Sequence, residues 1–76
     1  MSSSTEYEID QVIDYRYTIS KTTGTQIIEY LIKWKNYPSS HNTWEPETNL
    51  NPAALSHAQT YYTNRQKLYH RLYHRQ

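Results

Sequence analysis

The stretch that decides the fold is residues 29–50, EYLIKWKNYPSSHNTWEPETNL. Apolar and polar side chains alternate at its start, and the alternation extends back to Gln26. Because a period of two residues is typical of a half-buried strand, we predict a strand over residues 26–35. Its apolar face carries Ile28, Tyr30, Ile32 and Trp34, and its polar face carries Glu29, Lys33 and Lys35.

The same stretch places Trp34, Tyr37 and Trp44 within eleven positions of one another. Aromatic side chains at this density either form a small core or line a surface that holds a ligand. From composition and spacing alone, packing in a core is the better interpretation.

The segment before this stretch predicts another strand. Over residues 7–17 the odd-numbered positions are mostly apolar and the even-numbered positions are mostly charged, which is the alternation of a half-buried strand. Val12 and Ile13 are adjacent apolar residues, which indicates a bulge. A polar turn around Gly24, the only glycine in the chain, separates the two strands. The apolar set is Tyr7, Ile9, Ile13, Tyr15 and Tyr17.

The segment after the loop NYPSSHN completes the fold. TWE, residues 43–45, predicts a short third strand that Pro46 ends. Asn51 can cap the free amides of a following helix, and Pro52 suits its first position. This order predicts an α+β fold in which a three-stranded antiparallel β-sheet packs against a C-terminal α-helix. The helix stripe that faces the sheet is predicted to contain Leu55, Ala58 and Tyr62.

The composition is that of one small domain. The chain has 76 residues, no cysteine and an apolar share of 36%, which excludes disulfides and thiolate metal sites and leaves a thin core. No apolar run is long enough to span a membrane or to form a signal peptide. Residues 1–50 hold all seven acidic and four basic residues, a net charge of −3. Residues 51–76 hold four basic and no acidic residues, a net charge of +4.

Three segments identify a family: YEIDQVIDYR at 7–16, EYLIKWKNYP at 29–38 and NTWEPETNL at 42–50. They resemble the chromodomain of heterochromatin and Polycomb proteins, which also occurs at the C-terminal end of integrases from some long-terminal-repeat retroelements. The resemblance covers residues 6–62 and implies the same fold as the pattern. Residues 1–5 are then expected to be a flexible lead-in, and residues 63–76 a basic helical extension or tail.

The resemblance implies a methyllysine reader that binds the histone H3 tail and directs its parent protein to heterochromatin in the nucleus. An aromatic cage of Tyr7, Trp34 and Tyr37 would hold the methylated ammonium by cation–π attraction. Trp44 matches a structural tryptophan of the family, and we predict that it lies in the core. The mark stays open, because the favoured Ala-Arg-Lys-Ser context occurs twice in that tail.

The resemblance also implies that the peptide pairs as an additional strand, between the N-terminal segment and the residues that follow the third strand. Ile9 and Leu50 would border a pocket for a small side chain two places before the lysine, although simple packing explains both residues equally well. The implied groove residues are Glu6, Ile9, Glu45, Asn49, Leu50 and Asn51.

Two features depart from the family pattern. Many readers carry an acidic residue beside the cage where this chain has His41. A neutral imidazole lacks that negative charge, and its protonation at about pH 6.5 or below would repel the ligand. Upstream, Glu6 alone stands where heterochromatin-type domains often carry an acidic run.

No arrangement in the sequence supports catalysis. There is no nucleophile–base pairing, glycine-rich phosphate loop or carboxylate pair in an evident cleft, so we predict a binding module without a cofactor. His70 and His74 have a spacing that could hold zinc weakly, but a solvated helix face is the better interpretation. We expect a monomer that does not contact membranes.

The tail RQKLYHRLYHR, residues 65–75, leaves alternatives open. Its bases and tyrosines could make weak contacts with DNA or RNA phosphates and stack on bases. Its apolar side chains could instead dock a partner helix. The parent could equally be a heterochromatin protein or a retroelement integrase whose chromodomain directs integration to marked chromatin. The basic residues of the tail are Arg65, Lys67, Arg71 and Arg75, and its apolar ones are Leu68, Tyr69, Leu72 and Tyr73.

Overall fold

The computed structural model describes residues 8–74, which form three strands followed by one long helix. The three strands make a single antiparallel sheet in the order β1-β2-β3. The predicted α+β fold, a three-stranded antiparallel sheet with a C-terminal helix, is therefore confirmed. The elements are β1 (Ile9–Ile19), β2 (Gln26–Trp34), β3 (Thr43–Pro46) and α1 (Pro52–His74), with single 3₁₀ turns at Ser39–His41 and Glu47–Asn49.

The central strand β2 supplies most of the core. Tyr30 and Ile32 are 1% and 0% exposed, and they form the buried cluster together with Ala58 of α1. The face of β2 that the alternation predicted as apolar is thus the face that packs beneath the helix. The partly buried side chains around this cluster are Ile9, Val12, Tyr15, Ile28, Trp34, Leu50 and Tyr62.

Strand β1 carries the predicted bulge, and the bulge changes which residues face inward. The pairing register with β2 shifts between Ile9 and Gln11 and again between Val12 and Asp14. Because one extra residue reverses the alternation beyond it, Val12 packs on the core while Ile13 is 36% exposed. The prediction that Ile13 belongs to the apolar face is wrong for this reason.

Trp44 lies on the side of the sheet away from the helix. It pairs with Leu31, whereas its neighbour Glu45 pairs with the buried Tyr30, and successive residues of a strand point to opposite faces. The Arg16 guanidinium covers the Trp44 ring at 4.2 Å from its centroid. The prediction of a core position for Trp44 is therefore wrong, since its contacts belong to the outer face.

Helix α1 begins as the sequence indicates. The Asn51 side-chain oxygen accepts a hydrogen bond from the Ala54 backbone N–H at 2.9 Å, which satisfies one of the free donors of the first turn. Ala54 and Ala58 are both buried, and their small side chains let the helix lie close to the sheet. Leu55, which the sequence predicted on the inward stripe, is only half-buried. Ala54, one position earlier, takes the buried place on that stripe.

Tyrosine hydroxyls tie the helix to β1. Tyr61 donates to the Ile13 carbonyl oxygen at 2.7 Å, and the Tyr17 and Tyr62 hydroxyls are 2.7 Å apart. The hydrogen bond to Tyr62 raises the pKa of Tyr17 to about 12. In the core, burial and then the nearby Glu47 carboxylate raise the pKa of Tyr30 above its usual value. Both phenols are accordingly held in their protonated form.

Candidate functional site

An open cavity of about 290 Å³ lies where β2 ends and β3 begins. Thr43 and Glu45 of β3 pair with Ile32 and Tyr30 of β2, so their side chains lie on the helix-facing side of the sheet. The cavity therefore continues the core face to the rim of the sheet, where solvent can enter. Its lining residues are Trp34, Tyr37, His41, Thr43 and Glu45.

The turn after β2 returns Tyr37 toward Trp34. Asn36 has a positive φ of 70°, a left-handed conformation that asparagine tolerates better than most residues. The Tyr37 N–H donates to the Trp34 carbonyl oxygen at 3.2 Å. The structure thus brings together Trp34 and Tyr37, the two cage residues of the prediction that lie in the described part of the chain. Tyr7 and Glu6 lie outside residues 8–74.

His41, which the resemblance assigns to a position beside the cage, lines the same cavity. It ends the 3₁₀ turn Ser39–His41, and its N–H donates to the Pro38 carbonyl oxygen at 2.9 Å. The imidazole centroid lies 5.7 Å from that of the Tyr37 ring, with the two planes inclined at 48°. Any charge on the imidazole would therefore act next to the aromatic wall.

A chain of hydrogen bonds fixes the one carboxylate among the lining residues. The Trp34 indole N–H donates to the Thr43 hydroxyl at 2.9 Å, and that hydroxyl donates to one Glu45 carboxylate oxygen at 2.8 Å. The Asn49 amide donates to the other oxygen at 3.2 Å. A carboxylate has about four acceptor positions, so Glu45 retains acceptor capacity for a ligand. Sequence reasoning missed Thr43, whose role depends on the pairing of β2 with β3.

The remaining groove residues have structural contacts. Ile9 and Leu50 both pack against the core cluster. Asn49 lies beside Glu45, since its side-chain amide donates to the Glu45 carboxylate at 3.2 Å. The Asn51 side-chain oxygen caps α1, as the helix-start pattern predicted.

The N-terminal end of the described chain also approaches this rim. The Lys35 N–H donates to the Glu8 carbonyl oxygen at 2.9 Å, and the Lys35 ammonium lies 3.1 Å from the Glu8 carboxylate. Ile9 pairs directly with Trp34. Residues 8 and 9 thus run next to the strand end that carries the cavity.

The basic residues of the tail differ in their environments. Arg65 is half-buried, with its guanidinium 5.5 Å from the Tyr61 ring centroid, whereas Lys67 and Arg71 are exposed. Arg75 lies outside the described residues. Within residues 8–74, no group of three or more histidine or carboxylate side chains is arranged to hold a metal ion. No helix in that range combines the length and hydropathy that a membrane crossing requires.

Comparison with known proteins identifies relatives of the chain. It is 47% identical over 45 residues to Heterochromatin protein 1 of Drosophila melanogaster, a match that covers 59% of this chain and 19% of that protein. It is 43% identical over 44 residues to the Histone-lysine N-methyltransferase SUV39H2 of Gallus gallus, covering 58% and 9%. It is 42% identical over 41 residues to Chromobox protein homolog 2 of Mus musculus, covering 54% and 8%.

The matches thus span less than a fifth of each of these three relatives. The family model of the Chromo (CHRromatin Organisation MOdifier) domain matches residues 7–62, which include every strand and the first half of α1. With the predicted fold and the recognised motifs in the same residues, the chain belongs to the chromo domain family.

Proposed function

We propose that this domain is a methyllysine reader that binds a methylated histone H3 tail and recruits its parent protein to heterochromatin. The observation that carries the proposal is the cavity in which Trp34 and Tyr37 stand beside the fixed carboxylate of Glu45. Membership of a chromatin family places the domain in the nucleus. The name of its relative Heterochromatin protein 1 supports the heterochromatin assignment.

The chemistry of the cavity suits a methylated ammonium. Methylation keeps the positive charge of lysine but removes hydrogen-bond donors, so the group loses less hydration when it is buried. Electron-rich ring faces attract such a cation, with about 0.5–2 kcal/mol for each well-placed ring. The Glu45 carboxylate adds a favourable Coulomb interaction, in the role that many readers give to an acid at the position of His41. In this proposal Tyr7 supplies the third ring.

The flanking peptide would bind by main-chain pairing. β1 and β3 are the two edges of the sheet, and an extended peptide can add a strand to such an edge. In this proposal Glu45 and Asn49, which hydrogen-bond each other, contact a peptide that lies next to β3. The net charge of −3 on residues 1–50 favours the basic histone tail.

Titration with labelled H3 peptides tests the proposal. The peptides are unmodified or carry one, two or three methyl groups at each Ala-Arg-Lys-Ser lysine, and fluorescence anisotropy reports the affinity. We expect methyl-dependent binding that weakens about 2- to 30-fold in Trp34→Ala and in Tyr37→Ala, since each removes one ring.

Matched controls separate the cavity from general effects on the fold. Glu45→Gln should weaken binding of every methylated peptide. Glu47→Gln makes the same change two residues away and should leave peptide affinity unchanged. Glu47 bonds the Tyr30 hydroxyl at 3.1 Å and is not a lining residue of this cavity. Equal affinity for methylated and unmodified peptides would refute the proposal, as would methyl-dependent binding that survives both ring deletions.

The role of the parent protein is a separate proposal. The chain matches only small parts of its relatives, and a chromo domain in a retroelement integrase would use the same cavity to direct integration to marked chromatin. The peptide titration identifies the methylated lysine that the domain binds, whether the parent is a heterochromatin protein or a retroelement integrase.

A further inference from the structure

The C-terminal half of α1 extends beyond the sheet. The Gln66 side-chain amide donates to the Tyr15 hydroxyl at 2.9 Å and ties this part of the helix to β1. The helix continues to His74, a further rise of about 12 Å at 1.5 Å per residue. Tyr73 is 75% exposed, and Leu68, Tyr69 and Leu72 are also exposed. Such a projecting surface is not needed to cover the core.

Tyrosine rings and cations of this extension line one open groove from its two flanks. Gln66, Tyr69 and Tyr73 recur at helical spacing and form one stripe. Lys67 and Arg71, one turn apart, stand two positions from these tyrosines and so lie about 160° around the helix axis from them. Both sets line an open groove of about 900 Å³, and Gln66 and His70 lie between them. The Tyr69 and Tyr73 ring centroids are 6.2 Å apart and their planes are inclined at 38°. A ligand that lies over Gln66 and His70 can therefore reach the rings on one flank and the cations on the other.

The charge of this region has one sign. Residues 51–76 include no acidic residue, so no carboxylate of the helix neutralises Lys67 or Arg71. His70 also lines the groove and would add positive charge when protonated. An anionic partner is accordingly favoured.

We infer that this groove, lined by Tyr69, Tyr73, Lys67 and Arg71, binds single-stranded nucleic acid. Its cations meet phosphates, and its exposed rings offer stacking faces to unpaired bases, which all have a flat π face. Bases within a duplex are already stacked on their neighbours and cannot use these rings. An acidic protein segment would use the cations but has no bases to place on the tyrosines.

Direct binding to the whole chain tests the inference. Labelled oligo-dT and oligo-U of about 12 nucleotides, a length within the usual range of single-strand sites, are compared with a duplex of equal length by anisotropy. For contacts by Lys67 and Arg71, the logarithm of the binding constant should fall with the logarithm of salt concentration with a slope of about −1.4. The dT and U arms distinguish DNA from RNA.

Two double variants separate stacking from charge. Tyr69→Ala with Tyr73→Ala should weaken binding about 5- to 150-fold, since stacking of one base accounts for a loss of that size. Alanine favours helix, so circular dichroism should show the fold retained. Lys67→Gln with Arg71→Gln should flatten the salt dependence. Tyr37→Ala serves as the ring control, because it removes an exposed ring that does not line this groove and should leave oligonucleotide affinity unchanged.

The outcomes are distinct from those of the peptide titration. Loss of oligonucleotide binding in the tyrosine double variant, with methylated-peptide binding unchanged, would support the inference. Absence of oligonucleotide binding even at about 20 mM salt, where phosphate contacts are strongest, would overturn it. Duplex binding as tight as single-strand binding would also overturn it. Binding of poly-glutamate with the same dependence on both double variants would assign the groove to an acidic protein segment instead.

Discussion

Replacement of Asn51 by alanine distinguishes a helix cap from a peptide contact. The resemblance placed Asn51 in the peptide groove, whereas in the structure its side-chain oxygen accepts from the Ala54 N–H at 2.9 Å. The first turn of α1 contains no acidic residue, so no neighbouring carboxylate can replace the lost acceptor. Asn51→Ala should therefore act on stability.

The magnitude follows from the cap geometry. Loss of an N-cap side chain costs about 1 kcal/mol, within a range of about 0.5–2 kcal/mol. In a domain of this size, 1 kcal/mol corresponds to a fall in Tm of about 4–8 °C. Asn51→Asp is the matched control. It keeps the acceptor and adds a negative charge at the helix N-terminus, which should leave stability equal or raise it by about 0.3–1 kcal/mol.

Circular dichroism during heating and urea unfolding gives the stability of both variants. Methylated-peptide affinity is measured at a temperature where each variant is folded. We expect Asn51→Ala to lower Tm and to leave the affinity of the folded domain within about twofold of the parent. A Tm unchanged within about 1 °C, combined with an affinity loss of about tenfold, would refute the capping role and return Asn51 to the groove.

Two further predictions concern pH. Acidification from about pH 8 to about pH 5.5 should weaken methylated-peptide binding about fivefold, because protonated His41 adds a positive charge beside Tyr37 that the Glu45 carboxylate only partly offsets. His41→Gln should remove this pH dependence. An affinity of the unsubstituted domain that stays flat over this range would contradict the reasoning. The raised pKa of Tyr17, about 12, and that of Tyr30 favour protonated phenols in the folded state. Their stabilising contributions are fully present below about pH 10, the pKa of tyrosine in an unfolded chain, and are lost as the pH rises from about 10 towards 12. Urea unfolding across this window should show a free energy of unfolding that falls as the pH rises, and the fall should be less steep in Tyr17→Phe. A free energy of unfolding that stays constant up to about pH 11.5 would count against the raised pKa values of these tyrosines.

Local patterns in the sequence determined the elements and their order. The alternation in β2 predicted its buried face, and Asn51 with Pro52 marked the start of α1, as observed. These patterns can be interpreted locally because strand alternation and helix capping depend on a few neighbouring residues. The motifs around Trp34 and Tyr37 likewise indicated the family and one rim of the cavity.

Contacts between distant residues were decided by the tertiary structure. The bulge in β1 turned Val12 inward in place of Ile13, and the register of β3 put Trp44 on the outer face and Glu45 in the cavity. That register also places Thr43 between Trp34 and Glu45. A shift of one residue in pairing moves every side chain of a strand to the other face. The sequence by itself therefore determined which segments form the domain, and strand pairing decided which side chains meet in its site.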